Sequence, residues 1–188
     1  MAERLTVYMG PSEQATIRAA LHLVAPRRLL EWGAGGSTRF FLDAAPGLER
    51  LVSIEHDGEW AEKVRRSIDD RRLELHHVAA DVPPVGEEAR DRRKRQAWDA
   101  RAERDPAILR SYVGRPRALG GDFDFVLVDG RARRFCLAEG FELLRPGGLM
   151  VLHDAQRTDY HDAVPRAGRV VFIEPWEQGQ VCLIVKPG

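Results

Sequence analysis

Acidic and imidazole side chains follow several short apolar segments of this 188-residue sequence. They are Glu31, Glu55, Asp81, Asp129 and the pair His153–Asp154. If these segments are parallel strands, the side chains collect at one edge of the sheet, which is where open α/β sheets bind ligands. Carboxylates and histidine can move protons near neutral pH, so Asp129 and His153 are candidate acid/base residues. The alternatives are a turn cap for Asp129 and a fixed neutral donor for His153.

A glycine-rich stretch, LLEWGAGGSTRFF over residues 29–41, is the most informative part of the sequence. It has the pattern of a buried strand, a tight turn and the start of a helix that Ser37 or Thr38 can cap. Such a turn directs free backbone N–H groups at a ligand, and its glycines permit positive φ and a close backbone approach. The predicted ligand contacts of this turn are Gly33, Gly35, Gly36 and Ser37.

The residues around these glycines indicate which ligand binds. A dinucleotide turn reads G-x-G-x-x-G, and here Thr38 stands where the third glycine belongs. Glu31, two residues before the first glycine, disfavours a pyrophosphate and favours the cationic amino-acid end of a ligand, which we predict it contacts. The pattern E-x-G-x-G-x-S/T resembles motif I of the class I S-adenosylmethionine (SAM)-dependent methyltransferases. A dinucleotide turn and a purely structural turn are the alternatives.

A second acid supports an adenosine ligand. Glu55 lies 22 residues after Gly33, at the end of the second predicted strand. A carboxylate there holds a ribose diol in NAD and SAM sites alike, so we predict that Glu55 binds the ribose, with His56 beside it. Asp129, after the fourth predicted strand, is a further predicted cofactor contact. In the methyltransferases that the sequence resembles, an acid after the third strand often meets the adenine amino group, which implies this role for Asp81. A cap on the loop before Pro83 explains Asp81 equally well.

Seven apolar segments predict the strands that position these residues. They cover residues 29–32, 51–54, 73–78, 123–128, 149–152, 169–173 and 181–186. Helical patterns lie between them, and the last two strands form a hairpin. Together with the resemblance, they imply an α/β fold: a Rossmann-like three-layer sandwich with a seven-stranded, mostly parallel sheet and a C-terminal antiparallel hairpin strand.

The whole chain is predicted to be one methyltransferase-like domain, the natural count for its length. A helix within residues 1–26 forms an N-terminal cap. Residues 82–120 form an insertion with a highly charged helix over residues 87–102 and with Trp98 and Tyr112 as its expected anchors. A connection of this length is usually a binding loop or a lid, so we expect it to carry specificity.

The resemblance to class I methyltransferases extends from Leu29 to Lys186. The stretch LLRPGGLMVL resembles the turn before their fifth strand, and EWGAGGST and VDGR are similar to stretches of small bacterial methyltransferase-like proteins. This implies a SAM-dependent methyltransferase that acts on a small molecule by direct displacement, with oxygen as the expected acceptor atom and S-adenosylhomocysteine as product. The alternatives are an NAD(P)-dependent oxidoreductase, a SAM-binding protein without transferase activity, and a partner-binding domain on the same fold.

Four side chains just past the strand ends could bind the methyl acceptor. They are Arg131, Arg134, Arg157 and Tyr160. Guanidinium groups grip carboxylates and phosphates through forked hydrogen bonds, so an anionic acceptor would suit this set. Structural ion pairs among the arginines are the alternative.

A metal site is the remaining chemical option at the strand ends. Asp129 and Asp154 resemble two of the three metal ligands in the catechol-type O-methyltransferases. Ala155 stands where the third ligand, an asparagine, belongs, although His153 could substitute for it. We therefore expect no divalent metal, with Asp129 and Asp154 as the candidate ligands if one binds.

The amino-acid composition indicates which kinds of partner are not expected. The 29 Lys and Arg residues balance the 29 Asp and Glu residues, so the chain lacks the charge of a nucleic-acid-binding protein. The apolar runs are strand-sized and the start of the sequence has no signal-peptide core, so neither a membrane nor secretion is expected. Cys136 and Cys182 lack metal spacing, which is typical of free thiols in a reducing cytoplasm. The oligomeric state stays open, a homodimer included.

Overall fold

A computed structural model describes residues 5–188 as a seven-stranded sheet between two layers of helices. The strand order is β3-β2-β1-β4-β5-β7-β6. The strands are β1 Arg28–Trp32, β2 Arg50–Glu55, β3 Leu73–His77, β4 Phe123–Val128, β5 Leu144–Leu152, β6 Arg169–Phe172 and β7 Cys182–Val185. Strands β1 to β5 pair in parallel, and β7 is antiparallel to both β5 and β6. The predicted fold class is confirmed.

The central strands β1 and β4 read as continuous apolar runs because helices cover both faces of the sheet. Their side chains alternate, so that Leu30 faces one helical layer and Leu29 the other. The register places Trp32 opposite both Ile54 and Val128. The carboxyl ends of β1, β2 and β4 are therefore level, and the loops that follow them meet.

One helical layer consists of α1 Pro11–Val24, α2 Gly36–Ala44 and α3 Gly58–Ser67. The other consists of α5 Arg92–Ala102, α6 Arg110–Gly114 and α7 Arg133–Leu143. Each layer buries its own apolar cluster against the sheet. The short helix α4 Glu87–Arg90 buries none of its side chains. Within residues 5–188, every helix is too short or too polar to cross a lipid bilayer.

The insertion is mostly helical, and its central part belongs to the core. The helix predicted over residues 87–102 is broken at Asp91, whose carboxylate caps α5 by accepting a backbone N–H two residues on, at 2.7 Å. The predicted anchors are confirmed, since Trp98 and Tyr112 are 2% and 0% exposed. The indole Nε1 of Trp98 also donates to the carbonyl of Val82 at 2.9 Å. A lid function for this segment stays a prediction.

Candidate active site

A cavity of about 570 Å³ opens at the carboxyl ends of β1, β2 and β4. Its wall is formed by the loops after these strands, where open α/β sheets bind ligands. The predicted site residues that line it are Gly33, Gly35, Gly36, Ser37, Glu55, His56, Asp129 and Arg131. Tyr8 and Met9, which precede α1, and Trp60 of α3 line it as well. One cavity therefore unites most of the predicted cofactor contacts.

Two glycines let the loops of this cavity touch. Gly33, after β1, has a φ of +98°, and a Cβ there would lie 2.9 Å from Cα of Gly130, after β4. A Cβ on Gly130 would in turn lie 2.1 Å from the hydroxyl oxygen of Tyr112. Only glycine fits at either position. The backbone of the glycine turn and the backbone of the β4 turn therefore form one continuous wall.

Glu31 supports the glycine turn from behind. It is 0% exposed and accepts hydrogen bonds from the hydroxyls of Thr38, Ser37 (3.0 Å) and Ser53 (2.8 Å). The hydroxyl oxygen of Thr38 also accepts the N–H of Gly35 at 2.9 Å. Burial raises the pKa of Glu31 to about 7, although these hydrogen bonds oppose the shift. The buried carboxylate therefore positions the turn through these hydroxyls, and the contact with a cationic ligand group stays a prediction.

Glu55 is held with one oxygen available to a ligand. The side chain is almost fully buried, and its Oε1 accepts the backbone N–H groups of His56 and Asp57 at 2.7 and 2.8 Å. Within the described chain, no protein donor contacts Oε2. The imidazole of His56 stacks on Trp98, with ring centroids 6.1 Å apart. This arrangement fits a carboxylate that receives ribose hydroxyls.

His153, at the end of β5, lies between two carboxylates. Its Nδ1 is 2.9 Å from Oδ1 of Asp129 and its Nε2 is 2.9 Å from Oε2 of Glu13. Burial opposes the imidazolium, but the hydrogen bonds to Asp129 and Glu13 outweigh it and raise the pKa of His153 to about 9. A charged ring with both nitrogens engaged cannot accept a proton at neutral pH. The geometry favours a role for His153 in positioning Asp129, and its acid/base role stays a prediction.

Arg133 ties the ends of β4 and β5 together. Its guanidinium donates to the carbonyls of His153 (2.6 Å) and Asp129 (2.8 Å), and it pairs with the carboxylates of Asp129 (3.1 Å) and Asp154 (3.4 Å). Its backbone N–H donates to Glu103 of the insertion at 2.8 Å. Arg133 is 5% exposed, so these contacts are made inside the protein. The sequence offered no signal for this role, nor for that of Glu13, which is 140 residues from its partner.

Asp81 lies outside the cavity and caps a helix. Its two carboxylate oxygens accept the backbone N–H and the hydroxyl of Ser111, at 2.8 and 2.6 Å, near the start of α6. Both oxygens are therefore occupied by the insertion. Asp81 therefore caps α6 and not the loop before Pro83, and the adenine contact stays a prediction.

The predicted acceptor-binding residues are dispersed. Arg131 lines the cavity. Arg134 forms an ion pair with an aspartate of the 3₁₀ turn after β5, away from the cavity. Tyr160 is 0% exposed and packs beneath the guanidinium of Arg157, whose carbon is 5.0 Å from the ring centroid. Arg131 also pairs with Asp99 at 3.1 Å, so each of the four residues has a structural contact.

Comparison with protein-family models and with curated protein sequences gave no match. Solved structures, however, resemble the chain over its whole length. A methyltransferase-like protein from Silicibacter pomeroyi has a TM-score of 0.63 and 23% identity, over 98% of this chain and 90% of its own. The O-methyltransferase TomG from Streptomyces achromogenes, solved with SAM, has a TM-score of 0.60 and 16% identity, over 97% of this chain and 82% of its own.

The O-methyltransferase from Bacillus cereus, solved with S-adenosylhomocysteine, gives a TM-score of 0.57 and 16% identity, over 95% of this chain and 82% of its own. The fold is that of the class I methyltransferases. The likeness covers nearly the whole chain, including the antiparallel β7 between β5 and β6, and is not limited to the glycine turn.

On this class I methyltransferase fold, the candidate metal ligands lie together but are already engaged. Ligand atoms of Asp129, His153 and Asp154 lie within 4.8 Å of one another. The guanidinium of Arg133 pairs with both carboxylates, and both ring nitrogens of His153 are hydrogen-bonded. In this arrangement the residues do not fit a divalent ion.

Proposed function

We propose that this protein is a SAM-dependent methyltransferase that methylates a small molecule at oxygen. The observation that carries this proposal is the free Oε2 of Glu55 in a cavity that the glycine turn also lines. A carboxylate with one oxygen fixed by backbone N–H groups and the other free is suited to a ribose diol. The class I fold with its antiparallel β7 supports SAM over a dinucleotide as the adenosine ligand.

The polarity of the cavity points the same way. Oδ2 of Asp129, like Oε2 of Glu55, has no protein donor within the described residues. A ligand with hydrogen-bond donors would therefore match both atoms. SAM offers ribose hydroxyls and an ammonium group. The first residues of α2, Gly36 and Ser37, line the same cavity, and the N-terminus of a helix favours the carboxylate of the amino-acid end. A pyrophosphate, which only accepts hydrogen bonds, is poorly matched to Asp129.

The mechanism follows from these positions. Bound SAM supplies a methyl group on a positively charged sulfur. Asp129 accepts the proton of the acceptor hydroxyl through Oδ2, while His153 and Arg133 hold its Oδ1 and fix the carboxylate in place. Arg131 lines the cavity and binds an anionic group of the acceptor, while its Nε pairs with Asp99 at 3.1 Å. The buried free thiols Cys136 and Cys182 support a cytoplasmic location, and the balanced charge supports a small-molecule acceptor over nucleic acid.

Calorimetric titration with SAM, S-adenosylhomocysteine and NAD tests the cofactor. We expect micromolar binding of the first two ligands and none of NAD. Glu55→Gln should weaken SAM binding by about 10- to 100-fold, because it removes a charged hydrogen-bond acceptor from the ribose. Glu62→Gln, on the exposed face of α3, is the matched control and should bind SAM like the wild type. Binding of NAD in place of SAM, or of neither, would refute the proposal.

A further inference from the structure

The guanidinium of Arg133 lies between Asp129 and Asp154, the two residues that resemble metal ligands of the catechol-type O-methyltransferases. We propose that Arg133 is a built-in cation that excludes a divalent metal from this site. Both carboxylates then have a permanent positive partner that belongs to the protein itself. The inference concerns metal binding, so it can be tested whether or not the proposed methyl transfer is correct.

The guanidinium contacts the residues that follow two neighbouring strands, β4 and β5. Its Nη1 and Nη2 lie 3.4 Å from Asp154 Oδ2 and 3.1 Å from Asp129 Oδ1. Its Nε donates to the carbonyl of Gly130 at 3.0 Å. A divalent ion needs these carboxylate oxygens at roughly 2.0–2.6 Å, in the space that the guanidinium fills. A second cation there would also meet the repulsion of a buried positive charge.

Arg133 is fixed from several sides, so it cannot move aside cheaply. It is the first residue of α7, and its N–H is bonded to the buried carboxylate of Glu103. The ring of Tyr160 packs against the guanidinium at 5.7 Å. Displacing the side chain would break several buried hydrogen bonds to a charged group, which are stronger than hydrogen bonds between neutral groups.

The remaining ligand positions agree with this inference. Both ring nitrogens of His153 are engaged by Asp129 and Glu13, so neither is free to bind a metal. Ala155, which follows Asp154, has no side-chain ligand atom, and its carbonyl is bonded to His161. The site therefore provides negative charge, but that charge is compensated by side chains. If the proposed methyl transfer holds, the acceptor hydroxyl is activated by Asp129 without metal coordination.

Electron paramagnetic resonance of Mn²⁺, with purified protein and no SAM, provides the test. We expect no tightly bound Mn²⁺ on the wild type. Arg133→Ala should open the site and bind one Mn²⁺ per chain at least about tenfold more tightly than the wild type, and adding Asp154→Asn should abolish this gain. Arg134→Ala, the neighbouring arginine with an exposed partner, is the matched control and should gain nothing.

Two results would overturn the inference. One is stoichiometric Mn²⁺ binding by the wild type that Asp154→Asn removes. The other is a folded Arg133→Ala that gains no affinity. If Arg133→Ala does not fold, Arg133→Met retains the apolar stem and replaces it in the same comparison. The calorimetric test of SAM binding is separate, so failure of the proposed function and failure of this inference give different results.

Discussion

At the scale of single residues, the hydroxyl of Thr38 is the link between the glycine turn and the buried Glu31. It accepts the N–H of Gly35 and donates to the carboxylate, so it satisfies two buried polar groups. Thr38→Val has nearly the same shape, but it leaves the N–H of Gly35 without its acceptor and removes one of the three hydroxyl hydrogen bonds to Glu31. We expect a loss of about 1–3 kcal/mol in the free energy of unfolding, measured by urea denaturation. Thr158→Val, at an exposed threonine, is the control, and an unchanged midpoint for Thr38→Val would contradict this role.

A substitution at Asp129 distinguishes SAM binding from methyl transfer. In Asp129→Asn the amide oxygen can still accept from His153 and Arg133, but the amide nitrogen then faces the cavity and cannot take a proton. We expect methyl transfer to fall by about 10²- to 10⁴-fold while SAM affinity changes only a few-fold. The measurement is single-turnover transfer to an acceptor found in a panel of hydroxylated small molecules, alongside calorimetry. Equal losses in affinity and rate would instead assign Asp129 to cofactor binding.

The sequence was sufficient to predict the site residues that directly follow a strand. Glu55 and Asp129 follow apolar runs directly, so the parallel sheet brings them to one edge. Glu31 also lies near the end of a strand, but its carboxylate is buried and accepts hydrogen bonds from three hydroxyls of the protein. The roles of Glu13 and Arg133 were not predicted. Both residues lie in the first turn of a helix, and their partners are far away in the sequence. Only the packed structure fixes such contacts.

At the scale of elements, the insertion is anchored to the site by Trp98. The indole is 2% exposed, bonds to Val82 and stacks on His56, which lines the cavity. Trp98→Ala should lower the free energy of unfolding by about 3–5 kcal/mol and also weaken SAM binding. Leu23→Ala, at a residue that is 88% exposed on α1, should change stability by less than about 0.5 kcal/mol. A Trp98→Ala protein of normal stability would indicate a detachable lid.

The elements differ in how well the sequence defines them. Strand β4 matches its predicted span of residues 123–128, because a strand buried on both faces is a continuous apolar run. The charged helix over residues 87–102 was predicted unbroken, since its sequence has too few apolar residues to show a period. The break at Asp91 depends on a cap, and caps are local hydrogen bonds that several nearby residues could have made.

At the scale of the whole molecule, the site joins the two ends of the described chain. Glu13 of α1 reaches His153 at the end of β5, and a Cβ on Gly179, just before β7, would lie 1.8 Å from Glu13 Oε1. The cap helix, the central strands and the C-terminal hairpin are thus held together around one charged cluster. Its protonation state should therefore influence global stability.

The sign of that influence follows from the two buried groups with raised pKa values. The pKa of His153 rises from 6.5 to about 9, chiefly through Asp129 and Glu13 against the effect of burial. Burial raises the pKa of Glu31 from 4.5 to about 7. In both cases the folded state binds protons that the unfolded chain has released, so stability falls as pH rises. The Glu31 contribution changes between pH 4.5 and 7, and that of His153 between pH 6.5 and 9.

We therefore expect the free energy of unfolding to decrease by roughly 3 kcal/mol between pH 6.5 and 9, because His153 loses its folded-state proton there. Denaturant titrations at fixed ionic strength across this range measure it. Glu13→Gln removes one of the two carboxylates that hold the proton, so its curve should be flatter over the same interval. Glu49→Gln, in the exposed pair with Arg27, should keep the wild-type slope. A wild-type curve that is level or rises toward pH 9 would show that the folded protein does not hold His153 as an imidazolium.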